Sequence, residues 1–204
     1  MKRTTKRFGT REDETRREFL SKGLFALACV PLNLGSMLNG NSFVSSPYSQ
    51  FKKAKNMPLS IQQISDRLEI QEVLTRYCYA VDDRNWDAYR QLFTPDAMID
   101  DTVTGGVKSG VEEHITYMKR ALSKVLVSQH AISTVLIEVN GNEAKVRTHC
   151  SCPMVLDTPE DSRHVMFQGL WYRHTLVRTD AGWKIHSLLE EGYWKHNAPA
   201  GFSF

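Results

Sequence analysis

The apolar positions along this chain change their period once, near residue 125. Before that point they recur at helical spacing. Ile61, Ile64, Leu68, Val73, Leu74 and Tyr77 fall mostly three or four residues apart, and Ser60 with Gln63 forms a capping-box pattern, which predicts a helix from residue 61 to about 81. "WDAYRQLF" predicts a second, shorter helix ending before Pro95, "AMIDD" a short strand, and Ser109 with Glu112 a further capping box that opens a third helix to about Ser123. Beyond Val125 the period is two. "VLVSQHAISTVLIEV" and "EAKVRTHCSCPMVL" are separated by "NGN", and "HVMFQGLWYRHTLVR" and "WKIHSLLEEGYW" flank "TDAG"; both separators are hairpin signals. Three helices followed by four long antiparallel strands predict an α+β domain. A curved sheet must bury its concave face, and the N-terminal helices are the available cover, so a pocket between the two layers is expected.

Composition changes this picture at the N-terminus. Residues 1–22 hold eight Lys or Arg against four Asp or Glu, so the rest of the chain carries 18 basic and 19 acidic residues and the net charge of +3 belongs to the leader. The body therefore lacks the basic excess of a nucleic-acid binder. In the leader, Arg16, Arg17, Phe19, Leu20 and Lys22 precede an apolar run broken by Pro31 and Asn33, too short and interrupted to span a bilayer. This resembles a twin-arginine export signal, here assigned to residues 1–45, which implies the twin-arginine export machinery as a partner and a periplasmic or secreted destination in a bacterium. Residues 46–57 read as a linker, 58–197 as the folded domain and 198–204 as a C-terminal tail. Cys29 sits in the signal; Cys78, Cys150 and Cys152 remain, an odd number that makes no complete disulfide framework. In "HCSCP" one residue separates the two thiols, which on a strand puts both on one face and departs from the spacing of zinc sites, so no metal is expected.

The chemistry-bearing candidates are few. "VDDRNW" places Asp82 and Asp83 at the end of the first helix, where one of them could simply cap a helix, and His130 lies on the first long strand. The predicted topology brings these two regions together. A carboxylate on one imidazole nitrogen fixes the tautomer and raises the basicity of the other nitrogen, which makes Asp82 and His130 a device for removing a proton. His114 reads as a surface residue of the third helix, and His164, His174 and His186 lack paired metal-ligand spacing.

"RYCYAVDDRNWDAYRQLFTPDAMID", "SQHAIS", "NGNEAKV" and "DAGWKIHSLLEEGYW" together resemble the SnoaL-like dehydratase branch of the nuclear-transport-factor-two-like superfamily, over roughly residues 58–197. The resemblance implies a cone-shaped barrel and an Asp–His dyad, which by position is Asp82 with His130. It also implies Tyr77 as a substrate contact. Asp101 stands where scytalone dehydratase has a tyrosine, and Met154 where that enzyme has a further catalytic histidine, with His149 five residues earlier. Tyr77, Asp101, His149, Trp171 and Tyr193 are the expected substrate-binding residues.

The expected function is that of a cofactor-independent lyase of dehydratase type, or an isomerase, acting on a hydrophobic small molecule. The alternative is a non-catalytic ligand-binding module or a structural subunit of the same fold. A homodimer or homotrimer is expected, because the strands carry apolar residues on both faces. Arg16→Lys with Arg17→Lys is expected to leave the protein folded in the cytoplasm; fractionation that finds the double variant exported as before overturns the signal assignment.

Overall fold

The computed structural model describes residues 58–200, within one compact unit, Ala54–Phe204. The expected signal and linker, residues 1–57, lie outside the described residues, as do the last four positions of the tail. Helix α1 spans Ile61–Asp82, α2 Trp86–Gln91 and α3 Val111–Ala121. The strands are β1 Phe93–Asp100, β2 Lys108–Ser109, β3 Val125–Ser128, β4 Ala131–Asn140, β5 Glu143–Leu156, β6 His164–Thr179 and β7 Gly182–His196. They form one mixed sheet in the order β2-β1-β7-β6-β5-β3, with β4 also paired to β5; β1 runs parallel to β7 and the other pairs are antiparallel. The result is the α+β architecture expected, a curled half-barrel with helices packed on it.

The capping box of α1 forms as its sequence predicts: the Gln63 amide donates to Ser60 Oγ and the Ser60 amide to Gln63 Oε1. Its buried face differs from the expected one. Ile61, Ile64 and Leu68 are exposed, whereas Asp66, Ile70, Leu74, Tyr77, Cys78 and Val81 are buried. Asp66 takes a core position because Arg178 donates to it at 2.6 Å and Trp183 lies within 3.5 Å, so the buried carboxylate has a cation and a donor. These contacts hold the start of α1 to β6 and β7. The capping box expected at α3 does not form: Gly110 is the N-cap, and Ser109 is taken up by β2. The expected short strand is longer, because Phe93 leaves the second helix and pairs with β7. Pro95, which lacks a ladder donor, falls in the register shift between Phe93 and Met98.

Two departures from regularity shape the sheet. The hairpins after Asn140 and Thr179 turn at Gly141 and Gly182, both with positive φ, while further along, β6 and β7 shift register between Gly169 and Trp171. There Gly192 has φ +64° and lies under the Trp171 ring, which an added methyl would enter. Irregularities of this kind bend a strand and increase its twist. Alternation then divides β5 cleanly: Thr148, Cys150, Cys152, Met154 and Leu156 face the core, and Arg147 and His149 face outward. The long run expected as one strand from Val125 is the other departure. It is broken at Gln129 and His130 into β3 and β4.

Candidate active site

That break positions the first functional group. At His130 the chain leaves the ladder, and its backbone N–H, which points away from β5, donates to Asp82 Oδ2 at 2.8 Å. Asp82 Oδ1 receives the Ser128 hydroxyl at 2.7 Å and lies 2.6 Å from His130 Nδ1. The helix end that presents Asp82 is shaped locally. Asp83 is the C-cap and is exposed, and Arg84 follows with φ 56°, in the left-handed region. Its guanidinium donates to the carbonyls of Val81 and Asp82 and to Ser128 Oγ, tying the end of α1 to the end of β3. Arg84 was not singled out by the sequence; no spacing rule connects it to Ser128.

Magnitudes say what this arrangement is for. Three hydrogen bonds to a carboxylate are worth roughly 1.5–3 kcal/mol each. Removing the carboxylate and an imidazolium from water costs several kcal/mol per ion, so gain and cost nearly cancel. The pair adds little to stability and fixes geometry. Burial opposes the charged ring of His130, yet the Asp82 contact overrides it and holds the imidazole above the ordinary histidine range. Burial likewise opposes the Asp82 charge, and the hydrogen bond from His130 overrides it and keeps that carboxyl low. With Nδ1–H committed to Asp82, Nε2 is the nitrogen at which the ring gains or loses its second proton.

His130 lines a cavity of about 450 Å³, counted to its open mouth, between the concave sheet face and the helices. Tyr77 of α1, Tyr117 of α3 and Tyr172 of β6 also line it. Burial pushes all three phenols up, Tyr117 to about 12, so each keeps its hydroxyl hydrogen at neutral pH. Asp101, Thr104 and Glu190 form another part of the wall. A more open groove between α1 and the start of β4 also reaches Asp82 and His130.

Asp101 is held by a residue expected on the surface. His114 is fully buried; its Nε2 lies 2.5 Å from Asp101 Oδ2 and its Nδ1 2.8 Å from the Tyr89 hydroxyl. The correction has a simple cause: α3 packs on β1, and His114 is on the packed face with Ile115 and Tyr117. Gly106 passes so close to Asp101 and the Tyr117 hydroxyl that a Cβ would collide with both. Asp101 Oδ1 has no hydrogen-bond partner.

The seven expected site residues thus separate. Asp82, His130, Tyr77 and Asp101 converge on the cavity or its dyad. His149 and Trp171 do not: period two sends them to the outer sheet face, where their rings meet edge to face at 5.5 Å and Arg147 lies over the indole. Tyr193, half-buried near the end of β7, is not among the cavity-lining residues. Glu190 and Thr104 were missed. The doublet Glu190–Glu191 carried a usable signal, since consecutive strand residues face opposite ways and one of two acids must point inward.

A curled sheet over helices, enclosing a cavity with a carboxylate-oriented histidine, defines the class: a cone-shaped α+β fold of the nuclear-transport-factor-two-like superfamily. More narrowly, the chain belongs to the SnoaL-like domain family, whose model matches residues 62–188. An uncharacterised protein of Mycobacterium tuberculosis is 39% identical over 132 residues, covering 65% of this chain and 88% of that one. Among solved structures, a protein of Kribbella flavida superposes with a TM-score of 0.59 at 23% identity, covering 66% of this chain and 95% of that one. A candidate scytalone dehydratase of Novosphingobium aromaticivorans gives 0.58 at 17% identity, with 69% and 97% covered. A hexachlorocyclohexane dehydrochlorinase gives 0.55 at 18% identity, with 68% and 97% covered. At these identities the likeness is one of fold.

The dyad makes a prediction about pH. His130, raised in the folded state, contributes stability that is complete below the ordinary histidine value of 6.5 and is lost as pH rises toward about 10. Asp82, lowered, contributes stability that is present above 3.8 and is lost in acid. Melting followed across pH is expected to show both losses, and NMR titration to show the His130 ring above the ordinary range. Asp82→Asn is expected to bring that ring down; an unchanged His130 titration in the variant contradicts the pairing.

Proposed function

We propose that this protein is a cofactor-independent lyase of dehydratase type that removes a carbon-bound proton from a hydrophobic small molecule. The observation that carries the reading is His130, bound through Nδ1 to Asp82 at 2.6 Å and lining a cavity that opens to solvent at one mouth. The neutral form of His130, the minor one below about pH 10, takes the proton at Nε2; Asp82 keeps the tautomer and steadies the imidazolium, and the Tyr77 hydroxyl donates to the oxygen on which negative charge develops. The proteins of similar fold include a candidate scytalone dehydratase and a hexachlorocyclohexane dehydrochlorinase, names that denote eliminations, which supports the class. If the same proton returns to a different carbon, the reaction is an isomerisation; elimination is preferred because the cavity also holds acids able to assist a leaving group. We propose also that the reaction takes place outside the cytoplasm, after export directed by the leader containing Arg16 and Arg17.

The test uses 3-hydroxy-1-tetralone, a β-hydroxy ketone whose dehydration yields 1-naphthol. His130→Ala is expected to abolish both naphthol release and exchange of deuterium at the carbon beside the ketone. Asp82→Asn is expected to lower both by on the order of 10²–10⁴-fold. Asp83→Asn, altering the exposed member of the doublet, is expected to stay within about twofold of wild type. Equal activity of the two aspartate variants, or a probe that binds without exchange or turnover, overturns the reading in favour of a binding module.

An oligomer is proposed on separate grounds. Where the start of β6 pairs with the end of β7, the sheet exposes Val165, Phe167 and Trp194, each more than 40% accessible. Such a cluster suits burial against a second copy. Sedimentation is expected to give a dimer or trimer; a clean monomer at working concentration contradicts it.

A further inference from the structure

The cavity contains a carboxyl that proton abstraction by His130 does not use. Glu190 lines it from β7, while Glu191 faces outward, bound to Arg147 at 2.9 Å and Arg173 at 2.7 Å. Glu190 has no such cation against it. Thr104 Oγ1 lies 2.8 Å from Glu190 Oε2 and 2.8 Å from the Asp101 carbonyl oxygen. A hydroxyl has one hydrogen to give. When the carbonyl takes it, the contact with Glu190 is a hydrogen bond only if the carboxyl supplies its own proton. The surroundings favour that proton: burial, then the negative charge of Asp101, push Glu190 up to about 8. The groups around it are Tyr77 from α1, Tyr89 from α2, Asp101, Tyr117 from α3, His130, Cys150 from β5, Tyr172 from β6 and Tyr193 on its own strand. Of these, His130 is the one that can carry positive charge.

Two acceptors lie in the same cavity without a protein donor, Asp101 Oδ1 and Gln168 Oε1, and both are buried. An unpaired buried acceptor is costly, so each calls for a donor from the occupant. Hydroxyl groups on an otherwise apolar ring meet that demand.

We propose that Glu190 is the general acid of the elimination of a β-hydroxy ketone, with donor groups of the substrate held by Asp101 and Gln168; this rests on the reading of Asp82 and His130 as the base. His130 Nε2 takes the proton from the carbon beside the ketone. The electrons of that C–H bond pass to the ketone oxygen, giving an enolate held by the Tyr77 hydroxyl; on their return the new C=C bond forms, the C–O bond on the next carbon breaks, and its electron pair takes the Glu190 proton, so that water leaves. Glu190 ends as carboxylate and His130 as imidazolium. One proton passing from His130 to Glu190 through water restores both.

Infrared difference spectroscopy of the full chain, wild type minus Glu190→Gln, is the direct test. The carbonyl stretch of a protonated carboxyl is expected at mildly acidic pH and is expected to vanish as pH rises through about 8. Asp82→Asn is expected to leave that band in place. If Glu190→Gln removes no such band, or Asp101→Asn removes it instead, Glu190 does not hold the proton and the proposal fails. The kinetic arm uses 3-hydroxy-1-tetralone. Glu190→Gln is expected to keep deuterium exchange beside the ketone and to lose naphthol release by on the order of 10²–10⁴-fold. Naphthol release at the wild-type rate from this variant overturns the role of Glu190 while leaving the dyad intact. Absence of exchange in wild type fells the dyad, and this proposal with it.

Discussion

The Asp82 carboxylate is the joint on which the site depends. Its two oxygens collect the Ser128 hydroxyl, the His130 amide and the His130 ring, three groups that flank the interruption between β3 and β4. Gln129 keeps its amide bond to Pro153 O on β5, so the next amide, that of His130, points away from β5 to the side of the strand that no neighbour covers. The Asp82 carboxylate supplies the acceptor that the sheet does not offer there. Geometry is what this secures, since the ionic terms of a half-buried pair largely cancel. Arg84 completes the joint from the other side, in a backbone conformation that favours glycine, because its side chain bridges the last helical carbonyls to Ser128.

The rest of the cavity is organised by acids rather than by cations. Asp101 is fixed through His114, which Tyr89 fixes in turn, and Glu190 stands nearby against Thr104. Two carboxyls in one poorly solvated wall cannot both be charged cheaply, so one retains its proton. Across the cavity His130 is strengthened as a base by a third carboxyl. In the proposed elimination, base and acid thus arise from carboxyl groups in different surroundings within one tyrosine-lined cavity.

Burial also explains the contrast between the two ends of α1. At its start Asp66 pairs with Arg178, whose guanidinium also stacks over Trp183 at 4.4 Å, and the contact is closed and structural. At its end Asp82 pairs with a group that can give up its charge. The first pair anchors the helix to the sheet, and the second uses the helix as a rigid arm for the carboxylate.

Three acidic doublets mark the boundary between what the chain declares and what the fold decides. Asp82–Asp83, Asp100–Asp101 and Glu190–Glu191 each send one member toward the site and the other outward: Asp83 is exposed, Asp100 pairs with Lys108, and Glu191 with two arginines. Local spacing and backbone preference determined the three helices, the long strands β5, β6 and β7, the α1 cap, the glycine turns and the α+β class. Asp82 and His130 were also singled out, once resemblance was added to spacing. Which member of each doublet faces inward, that His149 and Trp171 face outward, and that His114 is buried were decided by tertiary structure. The strand break at His130, the curl at Gly169 and Gly192, and the packing of α3 on β1 set those directions, and each is a balance among residues distant in sequence that no local pattern contains.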